Sequence, residues 1–91
     1  MAKTTRELFD IFATRVAEIL RDRFGMDPEP LLVARRGQFT MEGLVSRAPD
    51  GAPVWHRVEL TREQLEWKGP NAMAEAFVQE YIAAFRAAER R

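Results

Sequence analysis

The stretch Ala48-Pro49-Asp50-Gly51-Ala52-Pro53 constrains this chain more than any other. Pro49 is fixed near the φ of the first central position of a type I turn, and Asp50 suits the second. Gly51 can take the left-handed conformation that closes a three-residue hairpin loop. The flanking segments alternate. From Gln38 to Arg47, Phe39 and Met41 share one face, and Thr40 and Glu42 the other. From Val54 to Leu60, Val54, His56, Val58 and Leu60 oppose Trp55, Arg57 and Glu59. An antiparallel hairpin is therefore predicted.

The loop sets its register. Pairing Ala48 with Ala52 places Val45 opposite Trp55 and Leu44 opposite His56. Continued outward, it sets Met41 against Glu59, a poor match. A bulge at Glu42-Gly43 would shift the ladder by one residue, bringing Met41 opposite Val58 and Phe39 opposite Leu60. Leu31 to Arg35 reads as a further short strand, joined to the hairpin by a tight turn at Arg36-Gly37.

Two helical segments enclose these strands. Thr4 and Glu7 form a capping box, and Leu8, Phe12, Val16, Ile19, Leu20 and Phe24 follow at helical spacing, widened by Phe9 and Ile11. Gly25 ends that helix, and Asp27-Pro28-Glu29-Pro30 cannot continue it. Thr61 and Gln64 form a second capping box, for a short helical turn reaching Trp67 or Lys68. After Gly69-Pro70 a long helix begins near Asn71. Met73, Phe77, Tyr81 and Phe85 make its apolar stripe.

The fold class expected is α+β, in the order α-β-β-β-(short α)-α. Three antiparallel strands carry both long helices on one face, because a small sheet has one face to bury and each helix one stripe. The expected core is Phe12, Val16, Leu20, Phe39, Met41, Val58, Phe77, Tyr81 and Phe85. With 91 residues, one domain spanning 1–91 is expected.

Composition narrows the chemistry. There is no cysteine, which removes disulfides, thiolate nucleophiles and thiolate metal ligands. Fourteen basic and fourteen acidic residues balance, so no basic excess points to phosphates. No apolar run approaches the ~20 residues that cross a bilayer, and the N-terminus does not read as a signal peptide. A soluble, cytoplasmic protein without membrane association is expected. The Ala/Arg-rich, Lys-poor vocabulary suits a bacterial or phage genome.

The candidate chemical groups are few. His56 is the only histidine, and a protein zinc site needs three or four ligands. Carboxylate pairs such as Glu63 with Glu66, or Glu75 with Glu80, lie on helical faces that read as solvated. Acid–base hydrolysis needs carboxyls across a cleft, one of them buried. No nucleophile elbow and no phosphate-cradling glycine loop is present. No catalytic residue, metal or cofactor is expected.

Trp55 stands apart. Alternation turns it away from Val54, His56 and Val58, so if those face the helices, Trp55 faces outward. Val45, Arg47 and Arg57 are its expected neighbours, with Leu32 or Ala34 from the first strand. Trp and Arg concentrate at interface hot spots, which makes Trp55, Val45, Arg47 and Arg57 the candidate partner-binding residues. In the competing arrangement the segment Thr61–Lys68 folds over Trp55 through Leu65 or Trp67.

The element order resembles that of the double-stranded-RNA-binding domain. Members of that family grip phosphates with a lysine cluster at the start of the last helix. The matching stretch, Gly69-Pro70-Asn71-Ala72-Met73-Ala74-Glu75, has no basic residue, so the resemblance is one of topology and implies no function. The expectation is a small non-catalytic interaction module, such as a regulator, inhibitor or assembly factor. It would bind a protein partner or a second copy of itself through the open sheet face or a helix face. The alternative is a nucleic-acid-binding domain in which Trp55 stacks on bases while Arg35, Arg36, Arg47 and Arg57 meet phosphates.

Overall fold

The structure, a computed structural model, describes residues 3–90. Helix α1 spans Thr5–Phe24, and strands β1, β2 and β3 span Leu32–Arg35, Thr40–Arg47 and Pro53–Glu59. Helices α2 and α3 cover Arg62–Trp67 and Pro70–Glu89. The strands form one antiparallel sheet in the order β1-β2-β3. This is the α+β arrangement that the hydrophobic periodicity implies.

Both capping boxes form. Thr4 and Glu7 exchange side-chain and backbone hydrogen bonds at the start of α1, as do Thr61 and Gln64 at the start of α2. The loop of the β2–β3 hairpin closes as its residues dictate. The Ala48 N–H donates to the Ala52 carbonyl, the Gly51 N–H to the Ala48 carbonyl, and Gly51 has φ 88°.

The buried residues make one cluster. Helix α1 contributes Phe9, Phe12, Ala13, Val16, Ile19 and Leu20, and α3 contributes Met73, Ala74, Phe77, Val78, Tyr81 and Ile82. Met41, Leu60 and Leu65 complete it, with Phe39, Val58 and Phe85 partly buried against it. Phe9 lies at its centre rather than at the edge of the α1 stripe. Its ring is 5.6 Å from Phe12 and 5.8 Å from Phe39. The aromatic chain continues from Phe12 through Phe77 and Tyr81 to Phe85, at centroid distances favourable for edge and offset contacts.

The sheet departs from expectation in two places. The β1–β2 connection is a four-residue loop, 36–39, so β2 starts at Thr40. Phe39 takes a left-handed φ of 49° there, a conformation that costs a bulky residue about 1 kcal/mol or more. The Phe39 ring packs against Phe9, and its carbonyl accepts from Leu60 N–H. The second departure is the bulge. Met41 does pair with Val58, but the ladder slips between Leu44 and Ser46, at Val45, and not at Glu42-Gly43.

Tyr81 accounts for that displacement. Gly43 lies directly over its ring, where a Cβ would come within 2.6 Å of Cε1. Glycine is therefore needed in the regular ladder for close approach, not as a bulge residue. One residue on, the Leu44 carbonyl accepts a 2.7 Å hydrogen bond from the Tyr81 hydroxyl.

Candidate partner-binding face

Register decides which side chains share the face of the sheet turned away from the helices. Leu32, Ala34, Met41 and Val58 pack into the core, and the His56 ring lies 5.5 Å from Phe77. The alternate residues therefore form the outer face. Leu44 pairs with Trp55, and the Leu44 N–H donates to the Leu31 carbonyl. Leu44 and Trp55 thus line up across β2 and β3 with Leu31, the residue just before β1. The next row is Val33, Glu42 and Arg57, followed by Arg35 and Glu59 on either side of Thr40, which is fully buried and donates to the Gln38 carbonyl.

Trp55 is 37 % exposed. Helix α2 does not fold over it. Leu65 is buried, α2 packs against α1 and α3, and Trp67 is left 84 % exposed.

The candidate residues separate. Trp55 and Arg57 share the outer face. Val45 does not, because the bulge leaves it packed against the core and puts Leu44 opposite Trp55. Leu32 and Ala34 also turn inward, so Leu31 and Val33 are the β1 neighbours on the outer face. Arg47 lies at the hairpin end, donating to the Gly51 carbonyl at 3.0 Å. Alternation along β3 identified Trp55 and Arg57. Nothing local in the sequence marked Leu31 and Leu44, because their placement depends on where the ladder slips.

The arginines of the sheet already have partners. Arg35 bonds Glu42 at 2.9 Å, Arg36 bonds Asp10 at 2.7 Å, and Arg57 lies 3.9 Å from Glu59. Glu42 is the most covered of these carboxylates, its side chain 14 % exposed. The outer face therefore presents an apolar row beside rows of mixed charge, without a stripe of unopposed cations.

His56 Nε2 is shielded from solvent, lacks a hydrogen-bond partner among the described residues, and lies 3.5 Å from a Glu80 carboxylate oxygen. No group of three or more potential metal ligands converges among the described residues. No described helix is long and apolar enough to cross a membrane. A separate ion-pair group joins the helices. Arg23 forks onto both oxygens of Glu75 at 2.8 and 2.9 Å, with Arg15 at 3.7 Å. The hydrogen bonds from Arg23 hold the Glu75 carboxyl below the usual carboxylate range.

Comparison with protein families, with characterised proteins and with solved structures found no match.

Proposed function

We propose that this chain is a non-catalytic protein-interaction module whose open sheet face receives a partner. The observation that carries this reading is the apolar row Leu31–Leu44–Trp55, which runs from the start of β1 to β3, lies outside the core cluster with Leu31 and Leu44 half-buried, and is covered by no helix among the described residues. A Trp with flanking aliphatics, rimmed by arginine and glutamate, has the composition of an interface centre. The Arg35–Glu42 and Arg57–Glu59 pairs would supply the polar rim. A cytoplasmic regulator, inhibitor or assembly factor, bacterial or phage in origin, belongs to the same reading.

The test uses the immobilised 91-residue chain and lysate of the source cell, with cross-linking and peptide mapping. A specific partner should cross-link to β1–β3, and Leu44→Glu should abolish its capture while the far-ultraviolet spectrum stays unchanged. A partner whose cross-links map to the exposed faces of α1 and α3, and whose capture survives Leu44→Glu, would refute the reading.

A further inference from the structure

The edges of the sheet differ. Strand β1 has four residues, while β3 has seven, and most of the β3 side chains are exposed. The Leu60 N–H bonds to the Phe39 carbonyl. By antiparallel alternation, Val58 and His56 also turn their backbone groups toward β2, while Trp55, Arg57 and Glu59 turn theirs away. Such a row of unpaired donors and acceptors is a template for another strand.

We infer that a second copy of this chain pairs along the β3 edge, antiparallel, with its two-fold axis at His56. This surface is the edge of the sheet; it shares Trp55 and Arg57 with the open face assigned above, and Val33→Glu below separates the two assignments. Charge pattern and strand length select both the occupant and the register. Centred on His56, all seven residues of β3 overlap. Arg57 then lies beside Trp55 of the second copy, a cation–π pairing made twice. Glu59 lies beside Pro53 of the second copy, whose nitrogen cannot donate, so each end of the new ladder makes one hydrogen bond instead of two; no two arginines or two glutamates are directly opposed. Centring on Arg57 would oppose two arginines. Centring on Val58 would oppose Arg57 and Glu59 twice, but strand length excludes it, because Trp55 would run against Thr61 of the second copy, past the end of the strand and into the cap of α2.

The helix layer accommodates this pairing. Helix α3 lies chiefly over β2, which leaves the inner side of β3 open toward the hairpin. Val54 is 44 % exposed there, in a cleft of about 250 Å³ whose lining includes Val45, Trp55, His56 and the α3 residues Ala84, Ala87 and Ala88. In the dimer, three strand spacings separate the two β2 strands, roughly 14 Å. Packed helix axes lie about 8–10 Å apart, so the two α3 helices can flank the seam with their alanines facing it. A closed two-fold pair also removes the longer free edge.

The register has a covalent test. Residues opposed across a non-hydrogen-bonded position have Cα atoms about 4.5 Å apart, inside the disulfide window of about 4.4–6.8 Å. The chain has no cysteine, so His56→Cys introduces a unique thiol on the axis. Glu59→Cys places thiols that this register keeps far apart. In sedimentation analysis the full chain should reach twice its 10.5 kDa mass. Mild oxidation should yield a covalent dimer from His56→Cys and none from Glu59→Cys. Val54→Lys should shift the chain to monomer, and Val33→Glu, on the open face, should leave the dimer intact. A wild type that sediments at the single-chain mass at every concentration would overturn the inference. So would equal cross-linking of both thiols, or a dimer lost with Val33→Glu. If Val54→Lys unfolds, the thiol pair still decides.

Discussion

The ring of Tyr81 lies so close beneath Gly43 that a Cβ on that glycine would sit 2.6 Å from Cε1 and 2.7 Å from Cδ1. Both ring atoms belong to a fully buried side chain held between Phe77 and Phe85, so the ring cannot swing aside cheaply. Through this contact α3 is seated on β2. The Tyr81 hydroxyl then reaches the Leu44 carbonyl, beside the residue where the ladder slips.

Gly43→Ala should therefore destabilise the fold by about 1–3 kcal/mol, the usual cost of overpacking. Tyr81→Phe keeps the ring but leaves the Leu44 carbonyl without its donor, at a cost of about 1–3 kcal/mol. Urea unfolding of both variants and of the double variant checks this. The two effects should be non-additive, since both act on one contact. Additive losses would show that the glycine and the hydroxyl act independently.

Trp55→Ala and Phe77→Ala should separate face from core. Phe77 is buried between Phe12 and Tyr81, and its truncation should cost about 3–5 kcal/mol. Trp55→Ala should change stability by no more than about 1 kcal/mol while weakening partner capture by about 2 kcal/mol or more. Denaturation midpoints and binding isotherms for the same preparations give both numbers. A sharp loss of stability with Trp55→Ala would place Trp55 in the folding core.

Acid should loosen the join between the helices. The folded-state pKa of Glu75 lies below its ordinary value, chiefly through the Arg23 hydrogen bonds. Its contribution is therefore present above the unfolded-state pKa and is lost as pH falls through the folded-state value. Glu75→Gln removes that dependence. Urea midpoints of wild type and Glu75→Gln should differ near neutrality and converge in acid. A constant gap across the acidic range would show that Glu75 is not the titrating group.

Double-stranded DNA or RNA should not bind tightly at physiological salt. On and beside the sheet, Arg35, Arg36 and Arg57 are paired with Glu42, Asp10 and Glu59, so this face offers few unopposed phosphate contacts. Fluorescence anisotropy should detect no submicromolar binding. Submicromolar affinity that falls steeply with added salt would favour the nucleic-acid reading over the protein-binding one.

Local chemistry sufficed for much of this fold. Thr4 with Glu7, Thr61 with Gln64, and Pro49-Asp50-Gly51 act over three or four residues, and each does what its side chains favour in isolation. The helical stripes are equally legible, because 3.6-residue spacing is a property of one segment. What only the tertiary structure decided is how those segments meet. Gly43 reads as a bulge residue until the Tyr81 ring, thirty-eight positions away, occupies the space where its side chain would be. The slip then falls at Val45, turning Val45 inward and leaving Leu44 beside Trp55. Phe39 likewise breaks strand alternation because Phe9, on another element, gives its ring a place to pack. A strand has a period of two, so one residue of slip exchanges its faces. The composition of the open face thus depended on a contact between distant residues that no local pattern encodes.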